Sequence, residues 1–146
     1  MHGTALKWVG GLAAVFVLLA LPFLGAWMRR TNEPCCALDG GALAPSYQVR
    51  IEDTAGVSHE FCCIRCAELW LDQNPQRAYG IWVTDESSGS EVLAADAQFV
   101  RSLVVTTATT GNRIHAFREW ADAERHANKC RGTILTGSER PFTERN

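Results

Sequence analysis

The apolar positions divide the chain into one long uncharged run and a remainder that switches between periods of two and of three to four. Trp8 to Met28 holds twenty-one consecutive residues without a formal charge, which as a helix cover about 30 Å, the hydrocarbon thickness of a bilayer. Trp8 and Trp27 stand at its two ends, where indole rings favour the membrane interface. The run therefore predicts an uncleaved single-span anchor in residues 1–30, joined by a linker at 31–34 to a domain that begins at Cys35. The competing reading is a cleaved signal peptide. Against it, the run exceeds the usual apolar region of such peptides and no A-x-A-like site comes after it. Lys7 precedes the span and Arg29-Arg30 follow it, so the charge rule gives no decisive orientation and leans toward a cytoplasmic domain.

Beyond the linker, Tyr47 to Glu52 alternates apolar and polar with period two, and Asp53-Thr-Ala-Gly56 closes it as a turn. Val57 to Cys62 is then the return strand of a hairpin. From Cys63 the period becomes helical through Cys66 or Ala67 and Trp70, with Asn74-Pro75 as the stop. Phe99 to Val105 reads as a strand, Arg118 to Cys130 as a helix and Gly132 to Leu135 as a closing strand, with a polar tail at 138–146. On the late helix, Trp120, Ala123, Ala127 and Cys130 share a face read as core-packed, which leaves His126 on the polar side. His115 is not assigned to a face. His59, alternating with Val57 and Phe61, turns toward the core as a structural histidine or as a ligand or second donor to the cysteine cluster.

With 146 residues there is room for one domain plus the anchor. A net charge of −2, with basic residues scattered among acids, argues against a nucleic-acid partner. The chemistry lies in the cysteines. Five of the six fall in two clusters, Cys35-Cys36 and Cys62-Cys63-x-x-Cys66, one hairpin apart. Thiols brought from both sides of a hairpin are the arrangement from which a small domain builds a soft-metal site. The second cluster stands where the strand gives way to the helix, and the helix dipole there favours thiolate. Cys63-Ile64-Arg65-Cys66 also has the C-x-x-C spacing of thioredoxin-like oxidoreductases. That reading lacks a preceding βαβ unit and leaves Cys35, Cys36 and Cys62 without a role.

The strand, hairpin and helix around Phe61-Cys62-Cys63-Ile64-Arg65-Cys66 resemble the TRASH-type cysteine motif, and more closely the NosL family of nitrous-oxide-reductase accessory proteins. The resemblance continues through Ile81-Trp-Val-Thr-Asp85 and Gly89 to Ala97, then Asn112 to Phe117, the helix after it and Gly132 to Leu135. It spans roughly residues 35–136. It implies a small α+β domain at 35–137, related to the organomercurial-lyase fold, that lies outside the cytoplasm, binds Cu(I) and hands it on without catalysis. Two departures bear on the metal. Cys36 is followed by Ala37-Leu38 where the family often has Cys-x-Met, and Thr106 to Thr110 holds no methionine. Without thioethers the thiolate set also suits zinc. A lipoprotein cysteine is absent as well.

The resulting expectation is a single-pass protein of the cell (inner) membrane with a periplasmic or otherwise extracytoplasmic metal-binding domain. Cys36, Cys62 and Cys66 are the leading ligands, followed by Cys35 and Cys63, for Cu(I) or else zinc. Its partners would be membrane lipid and a recipient metalloenzyme or membrane complex. Two alternatives remain: an accessory subunit of a larger membrane complex with a structural zinc-type cysteine site, and a thiol oxidoreductase.

Overall fold

A computed structural model describes residues 34–75 and 78–143. The apolar run at Trp8–Met28, the linker up to residue 33 and the last three residues lie outside the described residues. Among the described residues no helix is long and apolar enough to cross a membrane.

The hairpin forms where the alternation places it. Strand β1 (Val49–Asp53) buries Val49, Ile51 and Asp53 on one side, and it pairs antiparallel with β2 (Ser58–Phe61), setting Val49 opposite Phe61. The Asp53 side chain fixes the turn. Its Oδ1 accepts from the backbone N–H groups of Ala55 and Val57, both at 2.9 Å, and Gly56 takes the positive φ of 78° that the turn requires. Helix α1 (Ile64–Gln73) follows β2 after two residues and buries Ile64, Cys66, Ala67, Trp70 and Leu71. It ends at Asn74, one residue before a proline that disfavours helix at the position preceding it.

Strand β3 (Ala78–Thr84) pairs with the other edge of β1, and β4 (Glu91–Leu93) pairs with β3, giving a four-stranded antiparallel sheet in the order β2-β1-β3-β4. Arg50 ties three of these strands together. It donates to both carboxylate oxygens of Glu91 at 2.8 Å and lies 4.1 Å over the Trp82 ring. A second sheet, ordered β6-β5-β7, contains β5 (Gln98–Arg101), β6 (Ile114–Phe117) and β7 (Thr133–Leu135). Helix α2 (Trp120–Cys130) packs against it. One core of buried side chains joins the four-stranded sheet, α1 and Phe99, Ala116 and Leu135 of the second sheet. This is a small α+β domain.

Three expectations change. The strand expected to run to Val105 stops at Arg101. Ser102 Oγ there accepts the Val104 N–H at 3.1 Å and the Leu103 N–H turns to the Cys130 carbonyl, which diverts the donors a longer ladder would need and leaves Leu103, Val104 and Val105 exposed. On α2 the buried face is rotated from the expected one. Trp120 is 52% exposed, whereas His126 is half-buried, with its ring 5.2 Å from that of Phe117. Ala123, His126, Ala127 and Cys130 form the i, i+3, i+4, i+7 set that meets the sheet. Finally, the packed domain continues past the expected boundary at 137. Phe142 is buried edge-on to Phe99 at 6.4 Å, and Arg140 donates to the carbonyls of Ala94, Ala95 and Ala97.

Candidate metal centre

Three elements converge at the start of α1. Cys62 comes directly after β2, Cys66 lies in the first turn of α1, and Cys36 arrives from the turn Cys36–Gly41. That turn closes on itself through Gly40 N–H to the Cys36 carbonyl and Cys36 N–H to the Gly41 carbonyl, both 2.8 Å. It is fastened to the hairpin by Ala37 N–H donating to the Glu60 carbonyl on β2 at 2.7 Å. The consequence is that one donor atom each from Cys36, Asp39, Cys62 and Cys66 lies within 4.8 Å of the others.

Within this group Cys62 Sγ is 3.5 Å from Cys66 Sγ, and Cys66 Sγ is 3.8 Å from Asp39 Oδ2. Two thiolates on a shared tetrahedral ion, each at about 2.3 Å, stand roughly 3.8 Å apart. The group therefore fits a metal ion with shifts of a few tenths of an ångström for this pair. Cys36, Cys62 and Cys66 are buried while Asp39 is exposed, so the thiols lie beneath a carboxylate at the surface.

The other expected ligands take different places. Cys63 is fully buried as the residue before α1, 4.0 Å from Cys62 Sγ, and its Sγ meets Thr110 Oγ1 at 3.3 Å, on the threonine-rich segment that holds no methionine. Cys35 is exposed, in a bridge to Ala42. His59 is held away from the thiols. Its Nε2 is 3.2 Å from Asp53 Oδ2 and its ring lies 4.7 Å from that of Trp70. Asp39 was missed as a donor. In the sequence it reads as an Asp-Gly turn residue, and it is one, since its Oδ1 accepts the Gly41 N–H at 2.9 Å. Its second oxygen is the one that reaches Cys66. Its position three residues after a cysteine was the available signal.

Electrostatics at the site oppose the expected thiolate. Burial pushes the Cys62 thiol up to about 12, and burial together with the hydrogen bond to Cys62 pushes Cys66 up as well. Desolvation in the core thus outweighs the helix N-terminus. Asp39 goes the other way, held below its ordinary range first by the Gly41 N–H and then by the Cys36 thiol. Cys62 and Cys66 are therefore protonated thiols beside the ionised Asp39 carboxylate.

Metal entry must displace those protons. The apparent Cu(I) affinity is expected to rise with pH by about one log unit per pH unit for each thiol proton lost, about two for Cys62 and Cys66 together. Chelator competition across neutral pH measures the slope, and a flat profile would exclude the thiols as ligands. The stability of the metal-free domain runs oppositely. Cys62 has a folded value above its ordinary 9.0, so its contribution is fully present below about pH 9 and is lost as pH rises toward 12.

A small α+β domain with a thiol cluster between a hairpin and a helix is thus the class that fold and site define. The crystal structure of the copper chaperone NosL from Shewanella denitrificans has the same fold, with a TM-score of 0.62 and 21% identity over 72% of this chain and 87% of that one. No protein-family model and no curated relative matches the sequence.

Proposed function

We propose that the chain is a membrane-anchored Cu(I)-binding protein that receives the ion outside the cytoplasm and passes it to a metalloenzyme, with no catalysis of its own. The observation that carries this reading is the convergence of Cys36, Cys62 and Cys66 from two separate chain segments into one buried group beneath the exposed Asp39. Three soft sulfur donors suit a monovalent soft ion in trigonal geometry, whereas zinc favours a fourth ligand, for which this site offers the exposed Asp39. The likeness in fold to a copper chaperone favours Cu(I) as cargo.

Handover fits the same layout. Asp39 at the lip supplies negative charge to an incoming cation, and the exposed Cys35 next to the buried Cys36 is placed to exchange with a recipient's ligands. The raised thiols of Cys62 and Cys66 oppose the thiol oxidoreductase alternative, because a redox nucleophile needs a stabilised thiolate. The anchor is the uncharged run Trp8–Met28. A reporter fused after Asn146 that works solely in the cytoplasm would, if active, reverse the orientation.

The test of the cargo is parallel competition of the anaerobic protein against a strong Cu(I) chelator and a zinc indicator. Cu(I) is expected to be retained against the chelator and zinc to be surrendered to its indicator. Retention of zinc without Cu(I) would replace this reading by a structural zinc site.

A further inference from the structure

A second group of donors lies on the other sheet, among residues the thiol site does not use. Glu86 comes just after β3 and is held over β6 by its N–H donating to the Ala116 carbonyl at 3.0 Å. His115, on β6, is 1% exposed, and its Nδ1 lies 2.9 and 3.0 Å from the two Glu86 carboxylate oxygens. His126 reaches in from α2, its ring 4.2 Å from that of His115. One donor atom each from Glu86, His115 and His126 lies within 4.8 Å of the others.

The convergence of ring nitrogens singles out this cluster. With Nδ1–H donated to Glu86, the Nε2 of His115 faces Ser102 Oγ at 3.1 Å and the Val104 carbonyl at 3.2 Å. Ser102 Oγ is also 3.3 Å from His126 Nε2, and it already accepts the Val104 N–H. Two imidazole nitrogens, a hydroxyl and a carbonyl therefore converge. His126 Nε2–H can donate to Ser102 Oγ and the hydroxyl to His115 Nε2, which still leaves the His115 lone pair facing the Val104 carbonyl. The contact left without a proton is that of His115 Nε2 with the Val104 carbonyl at 3.2 Å, which a cation at that nitrogen relieves. A metal ion held by the Nε2 atoms of both histidines, with His126 in its Nδ1–H tautomer, is such a cation.

We propose that His115 and His126, with Ser102 or the Val104 carbonyl as oxygen donor, form a second metal site for a borderline divalent cation such as Zn2+, and that Glu86 positions His115 from behind. Imidazole and oxygen donors suit such ions, and the thiolates suit Cu(I), so the two sites sort metals by softness. A carboxylate on the far nitrogen of a ligating histidine fixes its tautomer and raises its basicity.

The test uses the full-length reduced chain with Cu(I) already added at one equivalent, titrated with Zn2+ against a zinc indicator. One further equivalent of zinc is expected to bind, with affinity lowered about 10- to 100-fold in Glu86→Gln and at least as much in His126→Asn. In parallel, the ring-nitrogen NMR signals of the wild-type protein are followed during the zinc titration, which requires neither a variant nor occupancy of the thiols. Zinc-dependent shifts of the His115 and His126 signals are expected. No uptake by the Cu(I)-treated protein, undiminished affinity in His126→Asn, or ring shifts confined to other histidines would each overturn the site.

Discussion

Cys66→Ser is expected to weaken Cu(I) retention by about 10^2- to 10^3-fold. Four-ligand structural metal sites bind with roughly 10 to 16 kcal/mol, so one ligand carries about 2.5 to 4 kcal/mol, and each 1.4 kcal/mol is tenfold. Cys66 is the strongest choice because it is fully buried and stands between Cys62 at 3.5 Å and Asp39 at 3.8 Å. A serine keeps the shape and can still donate to Asp39, so thermal unfolding of the metal-free variant should stay close to that of the parent. Cys63→Ser should have a smaller effect, since that thiol is engaged with Thr110. Cys130→Ser, on α2, should leave chelator competition unchanged. Equal retention in Cys66→Ser and the parent would remove Cys66 from the site.

Phe61→Ala should be the most damaging substitution to the fold, at about 3 to 5 kcal/mol. Folded domains typically have about 5 to 15 kcal/mol in total, so much of the population would unfold under mild denaturant. The side chain is fully buried, opposite Val49 across the hairpin, with its ring 5.5 Å from Trp70 of α1. It joins the hairpin to the helix immediately before Cys62. Loss of its volume would loosen the junction that sets Cys62 against Cys66, and metal retention should fall with stability. Urea unfolding with and without Cu(I) measures both effects. A midpoint close to that of the parent would show that this junction does not hold the domain together.

The elements that set the thiols were legible because their signals are local. Period-two alternation over Tyr47–Glu52 and the Asp53–Gly56 turn specify the hairpin, and the Asn74-Pro75 stop specifies the end of α1. What escaped depends on contacts between residues far apart in sequence. Placing Trp120 in the core rotated the face of α2 and put His126 in solvent, whereas the helix settles on the sheet through Ala123. Phe142 lies in a stretch that looks like a polar tail, yet it packs against Phe99 on β5. Leu103–Val105 has strand composition, but the Ser102 hydroxyl claims the Val104 N–H and ends the ladder. The protonation of Cys62 and Cys66 could not be read from their position beside a helix N-terminus, because burial, which the sequence does not display, dominates.

The central claim is that Cu(I) sits among the sulfur atoms of Cys36, Cys62 and Cys66. X-ray absorption at the copper edge of the anaerobically loaded full-length chain addresses it directly, since it reports the donor atoms themselves. The predicted result is a Cu(I) edge with a first shell dominated by sulfur at about 2.3 Å, losing one sulfur in Cys36→Ser. A first shell of nitrogen or oxygen, or a spectrum unaltered by Cys36→Ser, would contradict it.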